Sequence, residues 1–138
     1  MSVVNDFARR FRFLTLLRVS LVLGALWDIA FALLLAFAPE SAARTFELPL
    51  PPLPEGAFYL WIFAVVLLML AALYLQAARD TRRYSGIVGV AIGGRILGGL
   101  VLLLAALRPQ GVPGLVPMAA ADLGFGIAHA AFWLPIRS

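Results

Sequence analysis

The chain has 138 residues, of which 63% are hydrophobic and only 13% are charged. A soluble domain has about 45–50% apolar and about 25% charged residues, so this composition indicates a surface that faces lipid. The net charge of +4 comes from arginines in short clusters between apolar stretches, a pattern typical of membrane topology that argues against nucleic acid as a partner. The absence of cysteine excludes disulfides and thiolate chemistry.

Four apolar stretches divide the chain, at about residues 17–38, 57–76, 87–107 and 114–134. Each has ~20 residues, the length at which an α-helix crosses a hydrocarbon core of ~30 Å. Helix is the expected state of each stretch, because that layer holds no water to pair with backbone groups. The sequence therefore predicts an all-α integral membrane four-helix bundle, a single membrane domain over residues 1–138 with the lipid bilayer around it.

The segments on either side of the first span bear on whether this span is retained and how far its helix extends. Its apolar run exceeds the ~7–15 residues of a signal-peptide core, and Pro39 follows directly, so we expect a retained helix. Residues 5–14 place Phe and Leu at helical spacing between arginines, which favours either an interfacial helix or an extension of the first span. After the span, the sequence predicts a short helical turn at residues 41–46 and then an extended path through the prolines of residues 49–54.

The arginines predict the orientation of the spans. Four arginines precede or begin the first span and three lie between the second and third, whereas the other two loops carry only Arg44 and Arg108. Arginine-rich loops stay on the cytoplasmic side. We therefore expect a multi-pass protein of a cell inner membrane with both termini in the cytoplasm.

Ionisable residues inside the spans are the main candidates for function. A charge there costs at least ~2.5–3.5 kcal/mol, so we expect such groups to pair with one another or to face trapped water. At ~1.5 Å per residue, Asp28, Arg95 and Asp122 lie about 16, 18 and 12 Å from the outer boundary, close to the midplane of a ~30 Å core. His129 shares the helical face of Asp122, two turns nearer the cytoplasm.

The formal charges of this group do not cancel. Two carboxylates and one guanidinium leave a charge of −1, so one Asp holds a proton, His129 is charged, or a ligand or water supplies the balance. Two interpretations stay open. The group is either a site for ligand binding or proton handling, or a clamp in which Arg95 bridges two aspartates only to fix the order of the helices.

Glycines surround Arg95 in the third span. Two pairs have the spacing that lets helices pack closely, within the chain or in a homo-oligomer formed through this span: Gly89/Gly93 and Gly94/Gly98. Gly98 and Gly99 also lie one turn from Arg95, where missing side chains would leave room for a ligand or water. Packing is the favoured interpretation, and the two roles are compatible.

Trp27 and His129 complete the set of candidate site residues. Trp27 is mid-span, where it either fills the core or forms a wall of the same cavity, core filling being favoured. A metal site would need two or three ligands besides His129, and only Asp122 shares its face, so no metal is predicted. No residue is assigned a catalytic role. The predicted ligand-binding or polar cluster comprises Asp28, Arg95, Asp122, His129, Trp27, Gly98 and Gly99.

The layout resembles that of the DoxX-like small four-helix bacterial membrane proteins. The resemblance covers most of the chain and is carried by "LLLAFAPE" before a long Pro-bearing loop, "GIVGVAIGGRILGGL" in the third span and "AADLGFGIAHAAFW" in the fourth. It implies a four-helix membrane fold and an association with redox partners and quinone or thiol metabolism. The chain differs in having Arg95 where those proteins usually carry an acidic residue.

Three functions are compatible with these features. The preferred hypothesis is a binding module that holds a quinone, a lipid or another small hydrophobic molecule in support of a membrane-protein partner. The second is a structural or assembly subunit of a larger membrane complex. A proton-coupled carrier or enzyme comes last, because four helices without an inverted repeat are few for alternating access.

Overall fold

A computed structural model describes residues 3–52 and 54–137, with side chains from residue 7 onward. Five helices follow one another along the described chain, which contains no strand. They are α1 (Val3–Phe37), α2 (Pro39–Phe46), α3 (Ala57–Arg79), α4 (Ser85–Ala106) and α5 (Leu115–Arg137). The all-α prediction is confirmed.

Four of these helices are long and apolar enough to cross a membrane: α1, α3, α4 and α5. The last three have 23, 22 and 23 residues, or roughly 33–35 Å at ~1.5 Å per residue, against a hydrocarbon core of ~30 Å. Large apolar side chains are exposed along all four, among them Leu26, Met69, Leu97 and Ile127. A bilayer is the solvent that makes such exposure favourable, so the helices match the predicted multi-pass membrane protein.

Helix α1 is longer than the span predicted for it. It runs unbroken for 35 residues, so residues 5–14 continue the first span instead of forming a separate interfacial helix. At ~1.5 Å per residue its length is about 52 Å, well beyond a ~30 Å core. Phe7 and Phe11 are exposed on the extension, beside Arg9 and Arg10. The helix therefore carries an amphipathic segment past the end of its own span.

The loop after α1 contains the short helix that was expected there, beginning two residues earlier. Pro39 occupies its first turn, a position where the missing N–H of proline removes no hydrogen bond. Glu47 ends it in the left-handed conformation, with φ 49°. Gly114, just ahead of α5, lies so close to the Phe46 carbonyl that a side chain would not fit. This contact ties the first loop to the third.

The bundle is built from two helix pairs joined mainly through α1. Helix α1 packs along α3, α4 packs along α5, and α1 also packs on α5, whereas α3 and α4 touch less. One apolar cluster, around Leu17, Leu21 and Val88, fills the half nearer the start of α1. A second, around Phe31 and Leu35, fills the other half beneath α2. Asp28 lies between the two clusters along α1, so the polar centre divides the apolar core.

Close packing of α4 against α5 uses glycines other than the spaced pairs. A Cβ on Gly99 would lie 2.7 Å from Leu123 Cγ, and one on Gly126 would lie 2.8 Å from Ile96 Cγ1. Nothing lies within 4 Å of the position a Cβ would take on Gly93 or Gly94. Spacing places glycines on a common face, but the rotation of the helix decides which face meets its neighbour. The predicted pairs therefore do not form the close helix contact within the chain.

Candidate functional site

Arg95 is the centre of a buried ion cluster. Its Nη2 donates to Asp28 Oδ2 at 2.6 Å and to the Gly24 carbonyl at 3.0 Å, both on α1. Its Nη1 donates to Asp122 Oδ1 on α5. One guanidinium thus binds two helices that flank its own. The planar fork of arginine suits this role, because its donors point in fixed directions toward separate acceptors.

The three charged residues expected at one depth do come together. Residue counting gave their heights, and the structure adds that Asp28, Arg95 and Asp122 point toward one another. Helices α1 and α4 make little direct backbone contact over the described residues, so the long arginine side chain spans the gap between them. The cluster is therefore a cross-link between the two helix pairs.

Aromatic rings enclose the guanidinium. Arg95 Cζ lies 5.2 Å from the ring centroid of Tyr74 on α3 and 5.4 Å from that of Phe125 on α5, distances typical of cation–π contacts. His129 stacks on Phe125 with centroids 6.1 Å apart and meets Tyr74 edge-on at 6.3 Å. All four membrane-length helices therefore contribute to one centre.

Gly24, Tyr74 and Phe125 belong to this centre, although the sequence did not single them out. A Cβ on Gly24 would lie 3.5 Å from Arg95 Nη2 and 3.6 Å from His129 Cε1, so the bare glycine backbone forms the wall beside both groups. One signal was available, since Gly24 precedes Asp28 by one helical turn on the same face. Tyr74 and Phe125 gave no comparable signal, because aromatic residues are common in apolar spans.

His129 is buried without a regular hydrogen bond. It is 0% exposed, and neither ring nitrogen has a hydrogen-bond partner. Arg95 Nε is likewise buried and unpartnered. Buried polar groups are usually paired, so these atoms mark the least satisfied part of the core.

Asp122 is the accessible member of the cluster. Its side chain is 21% exposed, compared with 6% for Arg95 and 3% for Asp28. Its second oxygen, Oδ2, lies 3.5 Å from the position that a Cβ on Gly98 would take. Gly94, one turn along the same helix, has open space beside it. A carboxylate oxygen and a bare stretch of helix thus lie together at the edge of the ion cluster.

The remaining candidate residues lie apart from the charged groups. Trp27 is half-buried and makes none of the hydrogen bonds or ring contacts described for the cluster. Gly99 is buried against Leu123 and serves the packing of α4 on α5. Of the seven candidates, the structure brings together the four ionisable residues and Gly98.

The cluster offers hydrogen-bonding groups for a small molecule. Within the described residues no three His, Asp or Glu side chains come together in a way that could hold a metal ion. An ionised Asp122 accepts a hydrogen bond from a hydroxyl, and a protonated one donates to a carbonyl. Comparisons of the chain with protein-family models, curated proteins and solved structures found no match.

Proposed function

We propose that this chain is a membrane-embedded binding module that holds a small hydrophobic ligand with a polar head, of the quinone or lipid type, against Asp122, in support of a membrane-protein partner. The observation that carries the proposal is the uneven exposure of the cluster. Arg95 and Asp28 are enclosed, while the Asp122 side chain is 21% exposed and has one oxygen beside Gly98. Arg95, held by Asp28, donates to Asp122 and so fixes the position of the exposed carboxylate.

The charge of the cluster supports a hydrogen-bonding role for Asp122. Arg95 and Asp28 form a neutral pair, so the second carboxylate is the surplus charge of the centre. A surplus carboxylate at the edge of a lipid-facing helix is stabilised by contact with a polar group of a ligand. A ligand hydroxyl at this depth would supply that contact by donating to the carboxylate.

Asp122 and Asp28 form a matched pair for testing the proposal. Each of Asp122→Asn and Asp28→Asn removes one carboxylate from the same arginine, but only Asp122 is accessible. We expect Asp122→Asn to weaken binding of a decyl-chain hydroquinone, whose hydroxyl donates to the carboxylate, by about tenfold, because a hydrogen bond to a charged acceptor becomes one to a neutral amide oxygen. Asp28→Asn should bind nearly as the parent chain does, because the amide oxygen still accepts from Arg95 and keeps the guanidinium in place.

Binding to the purified chain in detergent can be followed through the fluorescence of its tryptophans. A Gly98→Leu variant, which covers Oδ2 of Asp122, should also lose binding while keeping every charge. Mass spectrometry of small molecules that co-purify with the parent chain would give the natural ligand class. Equal binding by the parent, Asp122→Asn and Gly98→Leu chains would refute a site at Asp122.

A structural or assembly subunit is the second candidate, and the enclosure of Arg95 favours it. Two carboxylates, one carbonyl and two aromatic rings surround the guanidinium from three other helices. Such an arrangement fixes the order and rotation of helices even if nothing else binds. The Gly98→Leu variant separates the candidates, because it would abolish ligand binding but leave an assembly role intact.

We further propose an inner-membrane location with both termini in the cytoplasm, and membership of the DoxX-like group. The arginine-rich end of the bundle supports the orientation, since positive loops stay in the cytoplasm. The four-helix layout and the glycine-rich α4 support the family proposal. Reporter fusions at the C-terminus and between α2 and α3 test the orientation, because only the first should be active in the cytoplasm.

A further inference from the structure

A second, separate feature lies at the end of the bundle where α1 begins, α3 turns into α4 and α5 ends. A half-enclosed cavity of about 760 Å³ is formed there by those segments. Its volume falls within the range of about 300–1,000 Å³ that is typical of small-molecule sites. It shares no lining residue with the Asp28–Arg95–Asp122 cluster.

On three helices, the lining of this cavity changes from polar residues near the end of the bundle to apolar residues or glycine deeper inside. Toward the end of the bundle its polar residues are Arg10 on α1, Ser85 on α4 and Arg137 on α5, beside the apolar Phe7 and Ile136. Four residues deeper on each helix it is apolar or bare, at Leu14, Gly89 and Trp133 respectively. A four-residue step is one turn, or about 6 Å along the axis. A charged rim therefore lies directly above an apolar floor.

The rim is built for an anion. Arg10, Arg82 and Arg137 line it, and no described carboxylate lies within 4 Å of their guanidinium groups. Asp80, the acidic residue of the adjacent turn, accepts instead from the backbone N–H groups of Arg82 and Arg83. The guanidinium of Arg137 lies 4.8 Å from the Trp133 ring centroid, which orients it over the cavity floor.

Two uncharged features belong to the same part of the lining, Thr81 and the start of α4. Thr81 lines the cavity, is only 3% exposed, and has a hydroxyl with no hydrogen-bond partner. Helix α4 begins at Ser85, also in the lining, and no side chain caps its first N–H groups. The N–H of Ser85 itself donates to the Arg82 carbonyl at 3.4 Å, and the helix dipole attracts negative charge at this terminus. The Thr81 hydroxyl, which is buried and has no partner, is a group at this edge to which a phosphate oxygen would supply an acceptor.

We propose that this cavity binds one anionic phospholipid, with the phosphate at Arg10, Arg82, Arg137 and Thr81 and an acyl chain over the apolar floor. The layering matches the lipid, because a headgroup and its chain are separated along the same direction as the rim and the floor. A free phosphate would satisfy the rim but leave the apolar floor uncovered. The lipid therefore fits both layers, and it would hold the α1 extension against the ends of α4 and α5.

Lipid titration of the purified full chain in a non-ionic detergent, followed by native mass spectrometry, tests this proposal. We expect phosphatidylglycerol to bind at least tenfold more tightly than zwitterionic phosphatidylcholine. Replacing the three rim arginines together by glutamine should weaken phosphatidylglycerol by about two orders of magnitude, or roughly fivefold for each arginine. The matched variant Arg9→Gln/Arg79→Gln/Arg83→Gln removes the same charge outside the cavity and should stay within about threefold of the parent.

A cavity-filling variant separates a defined site from general attraction. A Cβ on Gly86 would meet nothing within 4 Å, so Gly86→Leu keeps the fold and every arginine while filling the cavity. We expect it to weaken phosphatidylglycerol at least tenfold. Thr81→Val should weaken binding several-fold without lowering the melting temperature of the lipid-free chain, because the hydroxyl it removes has no partner.

Three results would overturn the proposal. Equal weakening in the matched arginine variant, or full binding by Gly86→Leu, would mean that the lipid is held by diffuse surface charge. Glycerol phosphate binding as tightly as phosphatidylglycerol would mean that the site takes a free phosphate and not a lipid.

Discussion

Removing Arg95 alone should destabilise the bundle more than removing the whole ion cluster. Arg95→Leu leaves Asp28 and Asp122 facing each other across the core without the guanidinium that binds both. The triple change to leucine at all three positions removes the charges together. Uncompensated charge, and not the number of lost hydrogen bonds, decides which variant is worse.

The size of the effect follows from the burial of Asp28. Its side chain is 3% exposed, and removing one partner of such a buried pair typically costs about 3–5 kcal/mol. The lost ring contacts with Tyr74 and Phe125 add roughly 0.5–2 kcal/mol. Replacing an entire buried ion network by apolar residues is often neutral or stabilising, by up to about 4 kcal/mol. We therefore expect the triple variant to be at least 2 kcal/mol more stable than Arg95→Leu.

Unfolding in mixed micelles by titration with sodium dodecyl sulfate gives the free energy of unfolding. The three tryptophans of the chain report the transition, and none of them is changed in these variants. Size-exclusion chromatography in detergent serves as a control for aggregation. The reasoning fails if Arg95→Leu loses less than about 1 kcal/mol, or if the triple variant is the less stable of the two.

Five further variants, at four positions, test the packing around the cluster by the same measurement. Asp122→Asn should change the free energy of unfolding by less than about 1 kcal/mol, because the remaining pair is neutral and an amide oxygen still accepts from the guanidinium; a loss above about 3 kcal/mol would contradict this. Gly24→Ala should be neutral or stabilising, since its Cβ would make ordinary contacts with Arg95 and His129, whereas Gly24→Leu should cost about 1–3 kcal/mol. Equal stability of the two variants would argue against close packing of Gly24 on these side chains. Gly126→Ala should destabilise by about 1–2 kcal/mol by pushing α4 from α5, while Gly93→Ala should not; the reverse order would disprove the described helix rotation.

The depth of the charged residues could be predicted from the sequence, but their neighbours could not. A constant rise per residue fixes height, so Asp28, Arg95 and Asp122 were expected at one level. Rotation depends on which apolar faces pack together, and all four spans are apolar on most sides. Glycine spacing was misleading for that reason: Gly94 faces open space, while Gly126, which belongs to no predicted pair, makes the close contact.

The length of α1 and the residues that line the cavity could not be predicted from sequence patterns either. The arginines among residues 5–14 fitted both an interfacial helix and a continuous one, because each places charge at the membrane surface. The unbroken course of α1 distinguishes them. Phe11 and Leu14 then line one cavity with residues at the ends of α4 and α5, which lie far away in the chain. Thr81 and Arg82, in the turn between α3 and α4, likewise join residues of α1 and α5 in the lining of one cavity only in the folded chain.

The position of Arg95 in the chain has a consequence for how the protein is made. Asp28 is synthesised 67 residues before Arg95, and Asp122 follows Arg95 by 27 residues. The first carboxylate therefore enters the membrane with no basic partner, and the arginine, when it arrives, finds one already in place. The second carboxylate follows in the next helix, within the same hairpin. Because a lone charge at this depth costs at least ~2.5–3.5 kcal/mol, the order of synthesis gives Arg95 a partner at each stage and makes α5 the step that completes the polar centre.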